Sequence, residues 1–197
     1  SAKALGKLEV KDSEALLLAK VKSDPSEQVK IQALNALVTM NASNLGEAIS
    51  QAMGDKAQAV RVAGLGLLAE TSIPTDQKVN LLTDIIRNRT IPEKQTGLLT
   101  LGGMEGSQNL PIWTQLLADF DQGKLPEATW IELEEAIIAT GSADLKTKFE
   151  AALDKKAGDQ PWKKYAGALA EGNNRAGRTI FFENQTAQCI RCHAYDD

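Results

Sequence analysis

A single histidine and two cysteines are all that the 197 residues hold of those types, and the three fall together in Cys189-Ile190-Arg191-Cys192-His193. Basic residues are in no excess either. With 22 Lys and Arg against 26 Asp and Glu the formal net charge is −4, which argues against nonspecific nucleic-acid binding through clustered Lys and Arg. Aromatic residues are scarce: four Phe, three Trp and two Tyr. Together with abundant Ala and Leu and few β-branched runs, this scarcity favours helix packing over sheet. No apolar run approaches the ~20 residues that a membrane-spanning helix requires. The opening Ser1-Ala2-Lys3-Ala4-Leu5-Gly6-Lys7 is too poor in apolar residues for a signal peptide. The chain is thus expected to be cytosolic, or processed or excised from something longer. Hydrophobic residues at 43% and charged residues at 24% nonetheless give a globular composition with enough apolar material for a core.

What is present repeats. Asp24-Pro25-Ser26-Glu27-Gln28-Val29-Lys30-Ile31-Gln32-Ala33-Leu34-Asn35-Ala36-Leu37 returns 31 residues later, from Asp55 to Leu68, with acid, valine, base, small residue and two leucines in register. Asp24 with Glu27 and Asp55 with Gln58 predict capping boxes at two helix starts, and Pro25 suits a first helical position. Apolar residues three and four apart then line one face of each helix. A weaker copy spans Pro92 to Gly102, with Gly97, Leu98 and Leu101 in the places of Gly64, Leu65 and Leu68, and a looser one spans Pro126 to Gly141. Further helical patterns cover Ser13 to Val21, Leu45 to Met53, Val79 to Arg87, Ile112 to Phe120 and Leu145 to Leu153. Four to five antiparallel helix pairs follow, with Val29, Leu34, Leu37, Val60, Leu65 and Leu68 buried.

Over residues 10 to 155 this pattern resembles the HEAT-like repeats, helix pairs stacked into an α-solenoid. In that family the second helix of a unit carries an Asp near its start and a base six residues on, matched here by Asp24 with Lys30 and Asp55 with Arg61. The third and fourth units lack that acid. Helix capping with a solvated face and an inter-repeat ladder are both open readings of these charges. Solenoids present surfaces or hold neighbours apart, and the repeats contain no nucleophile elbow or phosphate loop. Glu134 and Glu135 read as surface charges, and Met40, Met53 and Met104 as core filler.

After Leu153 the composition changes. Lys155 to Pro161 reads as a polar link, and Trp162, Tyr165 and Leu169 form one face of a short amphipathic stretch expected to pack on the last repeat. A turn at Glu171-Gly172-Asn173-Asn174 sets the expected boundary between a helical-repeat scaffold, residues 1–172, and a second unit, residues 173–197. The second unit carries Cys-x-x-Cys-His, the attachment string of c-type haem. Two cysteines three apart on a helical turn present both sulfurs to the porphyrin vinyl groups, and the adjoining His193 then lies under the iron as proximal ligand.

Gly177 and Phe181 or Phe182 on a short helix, then a loop, then Cys189, Cys192 and His193, resemble the start of a class I cytochrome c. Such a domain continues past this string to a distal Met, whereas this chain stops at Asp197 and its methionines all precede the string. The sequence is therefore expected to be a fragment. Helical repeats followed by such a tail resemble bacterial extracytoplasmic multidomain dehydrogenases that combine a β-propeller, repeats and cytochrome c. The resemblance implies covalent haem c, a fused or associated dehydrogenase domain that oxidises a sugar or alcohol, a downstream electron acceptor and a periplasmic or otherwise extracytoplasmic location. The fragment itself is expected to lack turnover, and to lack haem when made in a reducing cytoplasm. Three rival readings of the tail stay open. A thioredoxin-like pair needs a βαβ unit that the pattern lacks. Zinc needs a fourth ligand, from Asp196 or another chain. The third is a chance string carrying a disulfide or free thiols. Under the last two readings the chain is a HEAT-like protein-interaction module whose tail is vestigial or metal-binding.

Overall fold

The structure, a computed structural model, describes residues 11–170, 174–184, 186 and 188–193. All regular elements among them are helical, with no strand. Helices α1 (Glu14–Ser23) and α2 (Glu27–Thr39) pack on each other, as do α3 (Leu45–Met53) with α4 (Gln58–Gly66) and α5 (Thr75–Asn88) with α6 (Ile91–Gly103). The second helices also lie side by side: α2 meets α4, α4 meets α6, and α6 meets α8 (Trp130–Ala139). The fourth pair departs from this scheme. There α7 (Ile112–Asp121) packs on α9 (Ala143–Ala157), which also touches α8. A 3-10 segment, Pro161–Tyr165, lies along α9, and α10 (Ala166–Ala170) meets the turn at Glu127–Thr129. Last comes α11 (Asn174–Glu183), which adjoins the 3-10 turn Cys189–Arg191. Among the described residues no helix is long and apolar enough to cross a membrane.

Two apolar cores run through the stack. Leu17, Val21, Leu34, Leu37, Ile49 and Val60 form the first; Leu65, Leu82, Leu98, Trp113, Phe120 and Phe149 belong to the second, and Met53 packs against both. Five of the six residues expected inside are buried. Val29 is only half-buried, whereas its neighbour Lys30 is buried. Met40 and Met104 are buried, and Glu134 and Glu135 are exposed.

The helix starts differ from the sequence reading. Asp24 and Asp55 do not cap helices; each carboxylate accepts the amide two residues on, from Ser26 at 3.0 Å and from Ala57 at 2.8 Å, making a turn before the helix. Ser26 takes the cap position of α2, and Pro25 lies ahead of the helix. A short polar side chain followed by a helix fits an Asx turn as well as a cap. The reciprocal contact appears instead in the third unit, where the Glu93 carboxylate accepts from both the amide and the hydroxyl of Thr90.

Although the third unit lacks the patterned Asp, it supplies a carboxylate of its own in Glu93. Its carboxylate receives Arg61 Nε at 2.8 Å and Nη2 at 3.2 Å, a bidentate pair across units. One unit earlier, the buried Lys30 ammonium pairs with the buried Asp55 carboxylate. One unit later, Gln95 Nε2 donates to the Ala128 carbonyl at 2.7 Å. Lys30–Asp55 and Arg61–Glu93 thus bridge successive helix pairs, whereas Asp24 pairs with Lys20 of α1, and Arg61 also holds the loop by donating to the carbonyls of Asp55 and Lys56, both at 3.0 Å. The Arg61 guanidinium, helped by the Thr90 hydroxyl against the opposing effect of burial, holds the Glu93 carboxyl down at about 2. For Asp55 burial pushes the carboxyl up, but the Lys30 ammonium and the Ala57 amide outweigh it and leave it below its ordinary value.

Close helix approach depends on missing side chains. A Cβ on Gly64 would lie 2.8 Å from Ala52 Cβ in α3, and one on Gly102 would lie 2.5 Å from the Ala136 carbonyl oxygen in α8. The second clash is with backbone, which cannot swing aside. Gly102→Ala is therefore expected to lower stability by about 1–3 kcal/mol in urea unfolding. Gly103→Ala, whose Cβ meets nothing within 4 Å, is expected to raise it by about 0.5–1 kcal/mol. Equal effects of the two substitutions would contradict the α6–α8 contact.

The depressed Glu93 carboxyl carries a pH dependence. Its stabilisation is fully present above the unfolded value of 4.5 and is lost as pH falls through that value toward about 2. The loss is on the order of 3 kcal/mol. Urea midpoints of Glu93→Gln and the parent, compared at about pH 6 and about pH 3, are expected to differ widely at the higher pH and by clearly less at the lower.

Candidate functional site

The tail is built from a helix, a loop and one turn. Helix α11 carries Gly177 and the Phe181–Phe182 pair, as the sequence predicts, with the two rings edge to face at 5.1 Å and the Arg178 guanidinium 4.9 Å from the Phe182 ring centre. It ends where the Asn184 amide donates to the Ile180 carbonyl at 3.1 Å. Asn184 then shapes the loop: its side-chain oxygen accepts the Thr186 amide at 2.9 Å, and its carbonyl accepts the Gln188 amide at 2.9 Å. Gln188 has φ +47°, in the left-handed region, and this reversal starts the turn that bears the cysteines.

Within that turn one carbonyl organises the whole string. Cys189 O accepts the Cys192 amide at 3.2 Å and the His193 amide at 3.0 Å, so Cys189, Cys192 and His193 occupy consecutive corners of a single turn. Both cysteines are free thiols; Cys189 is half-buried, and Cys192 and His193 are exposed. The Arg191 guanidinium donates to the Gln188 side-chain oxygen. Around the string lie exposed apolar residues, Ile180, Phe182 and Ile190, and an open hollow of about 470 Å³ bordered by Phe182, Gln188 and Ile190. Among the described residues no three His, Cys, Asp or Glu side chains come together to hold a metal ion. Asp196, weighed as a further zinc ligand, lies outside the described residues, as does the expected boundary at 171–173.

The stretch before the tail corrects another expectation. Trp162, Tyr165 and Leu169 are 58%, 71% and 75% exposed rather than packed on the last repeat, and Tyr165 borders a different hollow from Trp162 and Leu169. Small residues make that contact instead. A Cβ on Gly167 would sit 3.0 Å from Trp130 Cβ and 3.2 Å from the Glu127 carbonyl oxygen, so α10 approaches by its glycine and leaves Leu169 exposed. Lys155 and Lys156, expected in a polar link, lie in the last turn of α9, and a second doublet, Lys163-Lys164, adjoins Trp162. Lys156 Nζ lies 5.1 Å from the Phe120 ring centre and 5.6 Å from that of Trp130.

Comparison of the chain with protein-family models, with curated proteins and with solved structures gives no match. Thiol chemistry tests the tail directly. A coloured disulfide reagent is expected to titrate two thiols in the native protein, Cys192 ahead of the half-buried Cys189. Thiols that react only after unfolding would contradict the exposed turn.

Proposed function

We propose that this chain is an electron-transfer element, a HEAT-like α-solenoid that holds out the haem-attachment string of a c-type cytochrome. The observation that carries the reading is the single turn on which two free thiols and an imidazole follow one another, Cys189, Cys192 and His193. Cys189 and Cys192 would each add a sulfur to a porphyrin vinyl group, the thiol hydrogen passing to the other vinyl carbon, so the attachment needs no oxidant. His193 would be the proximal iron ligand. Bound haem c supplies a reversible one-electron carrier.

The chain's own residues set the surroundings of that carrier. Ile180, Phe182 and Ile190 offer apolar surface beside the turn, which excludes water from one side of a flat ring. Met40, Met53 and Met104 are packed into the two cores, so none of them is offered as an iron ligand. The solenoid reading draws support from the side-by-side second helices and the cross-unit pairs Lys30–Asp55 and Arg61–Glu93. On this reading the stack is a spacer between a fused or associated sugar or alcohol dehydrogenase and a downstream acceptor, in the periplasm or another extracytoplasmic space.

A second reading has its own observation. Leu99, Ile131 and Ile138 are exposed on α6 and α8, a face that a protein partner would cover. It makes the chain an interaction module with a vestigial or metal-binding tail. Export of the chain together with a haem-ligation system separates the two. Acid-acetone-resistant haem, a mass increase of one haem and a sharp reduced α band are expected, all absent from Cys189→Ala, Cys192→Ala. No covalent haem in the exported protein would overturn the electron-transfer reading in favour of the second.

A further inference from the structure

A second hollow, of about 610 Å³, opens where the end of α9 meets the Pro161–Ala170 segment. That volume lies within the range of roughly 300–1,000 Å³ found for small-molecule sites. Its lining is unusual for a protein surface: Leu125, Trp130, Trp162 and Leu169 supply flat apolar walls, and Lys156 and Lys163 bring two cations against the single acid Glu127. The neighbouring lysines are already engaged, Lys155 with Asp121 and Lys164 with Asp154. Lys156 is fixed by donating to the Asp121 carbonyl at 3.1 Å and by the rings of Phe120 and Trp130. Lys163 makes no ion pair with any described residue, and Trp162 beside it stands more than half exposed.

The geometry points to this hollow as a seat for a flat apolar ligand that carries carboxylates, and to a porphyrin as that ligand, its ring against Trp162 and its carboxylates on Lys156 and Lys163. The choice of a porphyrin rests on reading Cys189, Cys192 and His193 as a haem-attachment string. Two lysines match the two propionates of one porphyrin edge. The reach is short as well, since Ala170 borders the hollow and Cys189 follows 19 residues later. Helix α11 accounts for about 15 Å of that length at 1.5 Å per residue. A second copy of the chain is a poorer occupant. Around a two-fold axis through the hollow itself Lys156 and Lys163 would face their own equivalents, and like charges across an interface repel.

The test uses the full chain with Cys189→Ala and Cys192→Ala, so nothing can be attached covalently, and metal-free protoporphyrin, so His193 has no iron to ligate. A saturable 1:1 shift of the porphyrin absorption band is expected. Trp162→Ala and Lys163→Glu should each weaken it at least tenfold, and the dimethyl ester of the porphyrin should bind similarly weakly. Leu16→Ser, an exposed apolar site on α1, should leave it unchanged. Unaltered helical circular dichroism and melting in each variant keep the comparison valid. No saturable binding, equal binding by the Trp162 and Lys163 variants, or a dimer that Trp162→Ala dissociates would overturn the assignment. Because the thiols are absent, these outcomes stand apart from covalent attachment in the exported protein, and either reading can fail while the other holds.

Discussion

Helix α6 is the member on which the others lean. Four different kinds of contact leave it in three directions: the Glu93 carboxylate to Arg61 of α4, the Thr100 hydroxyl to the Leu65 carbonyl at 3.2 Å, Gly97 under Ile86 of α5, and Gly102 against the Ala136 backbone of α8. Together they demand a carboxylate, a hydroxyl and two glycines at set places, so the sequence of α6 is constrained nearly along its length. Two glycines in a helix cost backbone entropy. They are tolerated because the close approach they permit brings Leu98 and Leu101 fully into the second core.

The buried ion pairs add register more than cohesion. Removing water from Lys30, Asp55 and Glu93 is costly, and the paired charges recover that cost only when the partners meet in the right alignment. A slip of one unit against the next would leave an unpaired charge inside the stack. Apolar contacts between leucines tolerate such a slip far better. The pairing of Lys30 with Asp55 and of Arg61 with Glu93 therefore fixes which surfaces of consecutive units meet.

Most of the helices were legible in the sequence because apolar spacing reports the buried stripe directly, as in Leu45–Met53, whose bounds match the structure residue for residue. Helix starts were not, since Asp24 and Asp55 satisfy an Asx turn and a capping box equally well on paper. The ladder was legible as a possibility only; no spacing rule shows that Glu93, 32 residues beyond Arg61, is the carboxylate that meets it. The orientation of the Trp162–Leu169 face was misread for a related reason. Amphipathicity says that large residues share a side, whereas the contact is decided by which side can come close, and Gly167 wins that competition. For the tail, the string Cys189 to His193 stands out in the sequence by composition alone. What the structure adds is the turn closed on the Cys189 carbonyl.

On the proposed reading, a stack held in register by charge carries an exposed turn to which a flat group would be attached covalently. Hydrogen exchange on the exported protein, compared with its Cys189→Ala, Cys192→Ala form, tests that division most directly. The prediction is that attachment slows exchange in α11, in the Cys189–His193 turn and beside Trp162, while the amides of α1 to α8 keep their protection. Identical exchange in the two forms, or protection gained across the stack with none in the turn, would contradict it.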